Sequence, residues 1–293
     1  MIDRIDMQLL QERLRNHVAL LAASPRNPGA PHHGVAAQYI GDTLLSAGFH
    51  VDEVVYDGTT GRCTNIQTAP FPSSPELPLL IVGAHYDSMP GVPGADDNAS
   101  AVAALLELAA WIRPLIQQPL IARLQLVAYD LEESGHVGSF EHSRALARMG
   151  ESLLCMISLE MLGYADERPG SQGVPLPLAG MLPNVANFIC VCGNERTRAA
   201  VDRVAEAMRC VDGLPVEQLV VPGNGESFSE IRRSDHSEFW DNGYEALMIT
   251  DTSFFRNPHY HRPTDRPETL SYSFLARVTA GVFAATERLL VGA

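Results

Sequence analysis

Short apolar runs alternate along the chain with longer segments in which apolar residues recur with helical spacing. The short runs predict β-strands, and the longer periodic segments predict amphipathic α-helices. The predicted strands cover residues 51–56, 65–69, 79–84, 123–129, 154–159, 187–191 and 246–250. The predicted helices cover residues 6–22, 34–47, 99–116, 137–149, 195–210 and 271–290.

This alternation of strands and helices is typical of an α/β domain. Residues 79–82 are apolar at consecutive positions, as expected for a strand that is buried on both faces of a sheet. We therefore expect a three-layer sandwich in which helices cover a mixed, mostly parallel central sheet. Residues 168–183 and 221–234 are rich in proline and glycine, so each is a linker or a loop. Because candidate strands or helices flank both stretches, we expect loops that wall a cleft. No inserted segment separates the polar motifs described below, which predicts one domain over residues 1–293.

The balance of charges excludes some partners. The chain has 35 acidic and 21 basic side chains, which gives a formal net charge of −14. This excess argues against binding nucleic acid through its phosphates, which requires clustered basic residues. Arg232-Arg233 is the only adjacent basic pair, and it has no basic neighbours that extend it into a patch. No uninterrupted apolar stretch reaches the about 18 residues of a membrane helix, so we expect no membrane span.

The N-terminus and the cysteines indicate a compartment. Residues 1–21 carry charges throughout and lack the apolar core of a signal peptide. The five cysteines are an odd number and include no Cys-x-x-Cys pair, which favours reduced thiols. We therefore expect a cytoplasmic protein, and the sequence leaves its oligomeric state open.

A first candidate for chemistry follows the strand predicted over residues 79–84. His85 can present one ring nitrogen to a metal ion, while Asp87 accepts a hydrogen bond from the other and fixes the tautomer. Because His-x-Asp triplets are common, this triplet taken alone favours a structural histidine.

A second candidate is the polar run Asp96-Asp97-Asn98 before the predicted helix 99–116. One polar residue is enough to cap a helix, and either Asn98 or Ser100 accounts for that role. Two adjacent carboxylates repel each other and are costly unless a cation compensates their charge. The acidic pair is therefore not explained by capping and indicates a cation site.

Further acids and histidines follow other predicted strands. In Glu132-Glu133 the adjacent side chains point in different directions, so one can bind a metal while the other faces an activated water. A solvated acidic turn is the alternative for this pair. Glu160 ends a buried strand, where a merely solubilising charge is poorly placed. His259 and His261 share a face if their segment is extended, so either is a candidate ligand.

Together these groups predict a dinuclear metal site. Imidazole and carboxylate groups without thiolate suit Zn²⁺ or another borderline divalent cation. Five such groups exceed what one catalytic zinc needs, and they fit two ions about 3.5–4 Å apart with one bridging carboxylate. The chain has no His-Glu-x-x-His, no Gly-x-Ser-x-Gly and no P-loop motif. The candidate set is His85, Asp97, Glu133, Glu160 and His261.

Five blocks of the chain occur in the order and at the approximate spacing of a known family. These blocks are residues 83–88, 94–100, 132–139, 160–164 and 260–261. Together they resemble metallopeptidase family twenty-eight, the co-catalytic zinc exopeptidases that include bacterial leucine-type aminopeptidases. The resemblance implies a zinc-exopeptidase fold, a peptide substrate and two zinc ions.

The resemblance also implies how the metal ligands divide between the two ions. His85 and Glu160 resemble the ligands of one zinc, Glu133 and His261 those of the other, and Asp97 the bridging carboxylate. Glu160 stands where many aminopeptidases of the family have Asp, which implies a different geometry for the amine of a substrate.

Three further residues receive roles from the resemblance. Asp87 resembles the partner that orients His85, and Glu132 resembles the general base. Tyr260 resembles the residue that stabilises the tetrahedral oxyanion. Residues 234–236 also resemble a recurring element near the pocket. His236 and His259 are therefore rivals for the last ligand, and the Tyr-His dyad favours His261.

We therefore predict an aminopeptidase that uses metal-activated water. The alternatives are a carboxypeptidase or other amide hydrolase on the same scaffold, a glutaminyl cyclase with one zinc, and a non-catalytic receptor-like module. The complete ligand set argues against the receptor-like module. The second metal favours hydrolysis over cyclisation.

Overall fold

A computed structural model of the protein describes residues 5–58, 61–113, 118–178, 180 and 182–292. In this part of the chain the strands are β1 (Val51–Gly58), β2 (Gly61–Thr68), β3 (Leu79–His85), β4 (Arg123–Tyr129), β5 (Leu153–Glu160), β6 (Ile189–Asn194), β7 (Val216–Val221) and β8 (Ala246–Thr250). The α-helices are α1 (Met7–Leu21), α2 (Pro31–Ser46), α3 (Ala101–Ile112), α4 (Val137–Met149), α5 (Arg198–Met208), α6 (His236–Asp241) and α7 (Tyr272–Val291).

The strands of the described residues form one mixed sheet of eight strands in the order β1-β2-β4-β3-β5-β8-β6-β7. The central strands β4, β3, β5 and β8 run parallel to one another. β1 and β2 form an antiparallel pair beside β4, and β2 is antiparallel to β4. On the other side β6 is antiparallel to β8 and parallel to the edge strand β7. The predicted α/β fold with a mixed, mostly parallel sheet is confirmed.

Two apolar layers separate the sheet from its helices. Alternate side chains of β3 enter different layers because successive residues of a strand point to opposite faces. Leu80 and Val82 lie in the cluster formed with α1, α2, α3, α5 and α7, whereas Leu79 and Ile81 lie in the cluster with α4 and α6. Burial on both faces explains why this strand carries no polar side chain from Leu79 to Ala84. Within the described ranges, no helix combines the length and apolar character required to cross a membrane.

Every predicted strand is present, but the sequence pattern does not predict β7 or α6. β7 carries Glu217 and Gln218 and contains both buried and partly exposed residues, as expected at the edge of a sheet. Its apolar signal is therefore weaker than that of the central strands. α6 spans only six residues, which is too short to establish a helical period.

The helix predicted over residues 99–116 begins later than expected. α3 starts at Ala101, and an irregular turn over Ala95–Ser100 precedes it. Asp97 and Asn98 have non-helical backbone angles within this turn. The acidic pair therefore lies on an irregular segment beside the sheet. The last predicted residues, 114–116, lie outside the described residues.

Gly138 allows the first turn of α4 to approach the segment that follows β4. A Cβ atom at this position would lie within 3.0 Å of Asn65 Oδ1 and of the backbone O and N of Asp130. Asn65 ties the same two segments together, because it donates to Gly138 O (2.9 Å) and accepts from Asp130 N (3.0 Å). Glu132 and Glu133 lie between these contacts in the chain. Close packing at Gly138 therefore fixes the turn that carries them.

We predict that Gly138→Ala lowers the free energy of unfolding by about 1–3 kcal/mol, because the backbone of Asp130 cannot move aside as a flexible side chain does. The matched control is Gly34→Ala in α2, where an added Cβ meets nothing within 4 Å. That change should leave stability unchanged or raise it by up to about 1 kcal/mol, since alanine favours a helix over glycine. Urea unfolding of both variants in the same metal state measures the difference. Equal stabilities for the two variants would contradict this account of Gly138.

Candidate metal centre

The parallel strands deliver the candidate ligands to one edge of the sheet. β3 ends at His85 and β5 ends at Glu160. Glu132 and Glu133 lie in the turn between β4 and α4, and His261 lies in the segment between β8 and α7. Because the carboxyl ends of adjacent parallel strands meet at the same edge, these side chains converge.

His85 lies at the centre of the first group of side chains. Its Nε2 atom lies 3.6 Å from Glu160 Oε2 and 3.8 Å from Glu132 Oε2. Potential ligand atoms of these three residues lie within 4.8 Å of one another, which is compact enough for one metal ion. His85 is 1% exposed, and neither of its ring nitrogens has a hydrogen-bond partner among the described residues.

The second group consists of Asp97, Glu133 and His261, and its ligand atoms also lie within 4.8 Å of one another. His261 Nε2 is 3.3 Å from Asp97 Oδ2 and 3.2 Å from Glu133 Oε2. Glu133 Oε1 is buried and has no hydrogen-bond partner in the described part of the chain. His261 is the most exposed member, with 27% of its side chain accessible.

Asp97 connects the two groups. Its Oδ1 atom lies 3.3 Å from His85 Nε2, and its Oδ2 atom lies 3.3 Å from His261 Nε2. Each carboxylate oxygen thus faces a different histidine. This is the arrangement required of a carboxylate that bridges two metal ions.

Asp87 supports both the first histidine and the acidic turn. Asp87 Oδ1 lies 3.4 Å from His85 Nδ1, the ring nitrogen that faces away from the carboxylates of the first group. The same carboxylate accepts hydrogen bonds from the backbone N–H groups of Glu132 (3.1 Å) and Glu133 (3.2 Å). Asp87 therefore fixes the His85 ring relative to the glutamates that follow β4.

Other polar groups hold the turn that carries Asp97. The carboxylate of Asp265 accepts hydrogen bonds from the N–H groups of Asp96 (3.0 Å) and Asp97 (3.1 Å). Asn98 donates to Leu159 O and accepts from Met161 N, both at 2.9 Å, so it joins the turn to the end of β5. Asp97 is thereby fixed relative to Glu160, although the turn itself is irregular.

Left-handed backbone conformations cluster around the centre. The φ angles are 58° at Leu131, 56° at His136, 48° at Met161 and 55° at His261. Residues other than glycine adopt this region at a cost, and such strain persists only where surrounding contacts impose it. Leu131 directly precedes Glu132, Met161 directly follows Glu160, and His261 itself belongs to the second group.

The rival histidines lie outside both groups. His259 Nδ1 is 3.0 Å from Thr264 Oγ1. His236 lies on α6 with its ring against Trp240, 4.5 Å between centroids, and burial lowers its pKa to about 3. The geometry therefore favours His261 over both rivals, and the ligand assignment itself stays a prediction.

Tyr260 lies beside the second group. Its ring stacks on that of His261 with 3.8 Å between centroids. Burial raises the pKa of Tyr260 above its usual value, so the hydroxyl stays protonated and able to donate a hydrogen bond.

Two residues near the centre, His136 and Glu238, were not predicted, and Ser234 belongs to the 234–236 element that the resemblance implies near the pocket, without a predicted role. His136 lies between two carboxylates, with Nε2 3.3 Å from Glu132 Oε1 and Nδ1 3.2 Å from Glu238 Oε1. Ser234 donates a hydrogen bond to Glu160 Oε2 at 2.9 Å. The sequence does hint at the contact between His136 and Glu132, because residues four positions apart can face each other across one turn of a helix. The contacts of Ser234 and Glu238 depend on the position of α6, which the sequence pattern does not predict.

The electrostatics show that the carboxylates need compensation. Burial raises the pKa of Glu160 to about 8, and burial with the neighbouring Asp97 raises that of Glu133 to about 7. Burial alone would lower the pKa of both histidines, but the carboxylates raise that of His261 to about 10 and that of His85 well above its usual value. Without cations the centre therefore retains protons at neutral pH, and cations can replace them.

The donor set and its spacing fit zinc. Zinc binds nitrogen and oxygen ligands at about 2.0–2.2 Å in tetrahedral geometry, which places ligand atoms about 3.3–3.6 Å apart. The contacts of His85 and His261 with Asp97, Glu133 and Glu160 span 3.2–3.6 Å. The unpartnered Nε2 atom of His85 and the unpartnered Oε1 atom of Glu133 are atoms that such ions would bind.

An open pocket of about 750 Å³ leads to the centre. Asp97, Glu132, Glu133, Glu160 and His261 lie at its polar end. The remaining wall is largely apolar, and both predicted loops contribute to it, with Leu178 from one and Phe228 from the other, as expected. The other apolar lining residues are Pro175, Leu182, Cys190, Cys192, Leu219, Ile231, Met248, Phe254 and Phe255.

Comparison with known sequences gives a family match. The sequence model of Peptidase family M28 matches residues 66–286 of this chain. The uncharacterized protein YfbL of Escherichia coli K12 is 40% identical over 261 residues, which are 84% of this chain and 77% of YfbL. The aminopeptidase YwaD of Bacillus subtilis is 28% identical over 222 residues, which are 72% of this chain and 42% of YwaD. The chain thus spans less than half the length of that aminopeptidase.

Solved structures show the same fold. The zinc aminopeptidase BSAP from Bacillus subtilis gives a TM-score of 0.74 at 14% identity, covering 96% of this chain and 95% of BSAP. The glutaminyl cyclase of Porphyromonas gingivalis gives a TM-score of 0.68 at 20% identity, and the match covers 94% of this chain and 96% of the cyclase. These identities support the fold alone.

We predict that the protein, stripped of metal by a chelator, binds two equivalents of Zn²⁺, and that Asp97→Asn weakens both sites. The effect on both sites follows because each oxygen of Asp97 faces a different group. We expect the zinc affinity of each site to fall by at least about 10–100-fold, which is the loss typical when a residue that only orients a metal ligand is replaced. Competition titration with a chromophoric chelator and elemental analysis measure affinity and stoichiometry.

The matched control for this titration is Asp52→Asn. It removes an exposed carboxylate of the edge strand β1, which belongs to neither metal group. It should retain two equivalents and the original affinities. Glu133→Ala and Glu160→Ala should each weaken one site more than the other. Two tight equivalents in Asp97→Asn would contradict the bridging role.

Proposed function

The chain belongs to peptidase family M28, and from this membership and the geometry of the centre we propose that it is a dizinc aminopeptidase. Its substrates are then peptides with a free N-terminal amine. The observation that carries the proposal is the position of Asp97 between two metal groups at the polar end of an apolar pocket.

The residues of the two groups would hold the ions. His85 and Glu160 would bind one ion, Glu133 and His261 the other, and Asp97 both. Divalent cations bound there supply Lewis acidity and bring the pKa of a bound water toward neutrality.

Glu132 is the general base in this proposal. It lines the pocket. Its Oε2 atom lies 3.8 Å from His85 Nε2, and its Oε1 atom lies 3.3 Å from His136 Nε2. Its backbone N–H donates to Asp87, so contacts fix both the backbone and the carboxylate of Glu132. A carboxylate in this position can accept a proton from the attacking water and return it to the leaving amine.

Tyr260 stabilises the oxyanion in this proposal. Its ring is fixed by stacking on His261, and its hydroxyl stays protonated at neutral pH. A hydroxyl donor that is already oriented toward developing negative charge contributes to catalysis because it needs no reorganisation during the reaction.

Carboxylates at the polar end of the pocket favour exopeptidase cleavage. Glu160 and Glu132 can accept hydrogen bonds from a substrate ammonium group, and the apolar wall can accept the adjoining side chain. The two metal groups support hydrolysis over the one-zinc cyclisation of glutaminyl peptides.

The first test is a substrate panel for the zinc-loaded protein. We expect hydrolysis of amino-acid p-nitroanilides with apolar side chains and no cleavage of N-blocked peptides, because the blocked substrates lack the ammonium group. N-terminal glutaminyl peptides should be hydrolysed without accumulation of pyroglutamyl product. Cleavage of N-blocked substrates alone would contradict the aminopeptidase proposal, and pyroglutamyl product alone would indicate a cyclase.

The second test addresses Glu132. We predict that Glu132→Gln retains two metal equivalents but lowers kcat by about 10²–10⁴-fold, the usual contribution of a general base. Glu12→Gln on the exposed side of α1 is the matched control and should keep full activity. Elemental analysis and steady-state kinetics separate loss of metal from loss of turnover. Wild-type kcat in metal-loaded Glu132→Gln would remove Glu132 from the mechanism.

A further inference from the structure

The adjacent basic residues Arg232 and Arg233 have different surroundings. Arg232 donates to Asp241 Oδ2 at 2.7 Å and to Asn224 O at 2.8 Å. Arg233 has no carboxylate within 4.0 Å among the described residues. Arg232 therefore has a structural role, whereas the charge of Arg233 is left without an ionic partner.

Arg233 lies in the wall of the substrate pocket. Its guanidinium carbon lies 5.0 Å from the ring centroid of Phe254, and its Nη2 atom lies 3.4 Å from Tyr260 Oη. The ring of Phe254 also lies beside that of Tyr260, 5.5 Å between centroids. Stacking on an aromatic face orients a guanidinium and leaves its edge free for a ligand.

The charge of Arg233 is exceptional within this pocket. Among the described residues that line it, Arg233 is the only lysine or arginine. The acids that line it are Asp97, Glu132, Glu133, Glu160 and Glu230. A substrate carboxylate would be repelled by most of this surface and attracted at one position.

We propose that Arg233 binds a carboxylate of the substrate, and that the C-terminus of a dipeptide or tripeptide supplies it. This inference rests on the proposed aminopeptidase function. Tyr260 is assigned to the oxyanion of the cleaved bond, and Arg233 contacts the Tyr260 hydroxyl. The carboxylate therefore lies a short distance beyond the scissile bond. An extended chain advances about 3.3–3.6 Å per residue, so only a short peptide places its C-terminus there.

The kinetic test compares leucyl-leucine with leucyl-leucinamide, which differ only in the carboxylate. We expect the wild-type protein to prefer the acid, and Arg233→Met to lower kcat/KM for the acid by about 10- to 100-fold, chiefly through KM, as for loss of a charge-assisted hydrogen bond. The amide should change by less than about threefold. Arg233→Lys should recover part of the preference, since it keeps the charge but loses the planar fork.

Arg232→Met is the matched control, because it removes the neighbouring charge outside the pocket wall. Its ratio of acid to amide activity should equal that of the wild type. An equal loss for acid and amide in Arg233→Met would overturn the proposal, because it would show that Arg233 acts through Tyr260 or through folding. The melting temperature of each variant identifies a folding defect.

A second comparison separates the C-terminal carboxylate from a side-chain carboxylate. Leucyl-glutamyl amide should be no better than leucyl-glutaminyl amide, and tetrapeptides should lose the preference for the free acid. A preference for the glutamyl amide that disappears in Arg233→Met would overturn the assignment to the C-terminus and place an acidic side chain at Arg233.

A binding measurement separates this inference from the proposed function. Calorimetry with zinc-loaded Glu132→Gln measures leucyl-leucine and its amide without turnover, with and without Arg233→Met. Tighter binding of the acid that depends on Arg233 supports the inference even if the wild-type protein cleaves no peptide. Equal binding of acid and amide, or binding of neither, overturns it even if the protein is an active aminopeptidase.

Discussion

The mutual repulsion of buried carboxylates is the constraint on which the centre depends. Asp97, Glu132, Glu133 and Glu160 converge on two histidines at one edge of the sheet. Burial raises the pKa of Glu133 and Glu160 to about 7 and about 8, so these groups cannot all carry charge without cations. Two divalent ions would remove this conflict, and each oxygen of Asp97 faces a histidine of a different candidate metal group. Membership of peptidase family M28 and the two candidate metal groups therefore both indicate a metal-dependent hydrolase.

Backbone hydrogen bonds hold the charged groups in place before any ion binds. Asp87 accepts from the N–H groups of the acidic turn, and Asp265 accepts from those of the turn that carries Asp97. Asn98 ties the latter turn to the end of β5. These contacts use side chains that do not belong to the metal groups. The ligands are thus positioned by the sheet and its adjoining turns, which reduces the reorganisation that metal binding requires.

The sequence predicts the strand-end part of the centre because two physical signals coincide there. Runs of buried strand residues mark the parallel strands, and charged residues placed directly after them have no role in the core. These positions make His85 and Glu160 candidate ligands, and only their combination with the other acids and histidines favours a metal site over a structural histidine. The sequence does not reveal that Ser234 contacts Glu160, because the two residues lie far apart in the chain. It also does not reveal that Glu238 contacts His136, because α6 is not predicted. β7 escapes prediction for a related reason: an edge strand has only a weak apolar pattern.

The pocket and the metal centre depend on different parts of the chain. The metal groups lie on strand ends and anchored turns. Leu178, Phe228 and Phe254 lie on separate segments outside the strands and α-helices, and these segments meet only in the folded protein. A substitution in those segments can therefore change what contacts a substrate without moving a strand end. The same fold is found in an aminopeptidase and in a glutaminyl cyclase at 14% and 20% identity to this chain. Selectivity must then be argued from the side chains of the pocket wall, where Arg233 provides the one strong basic charge among the described lining residues.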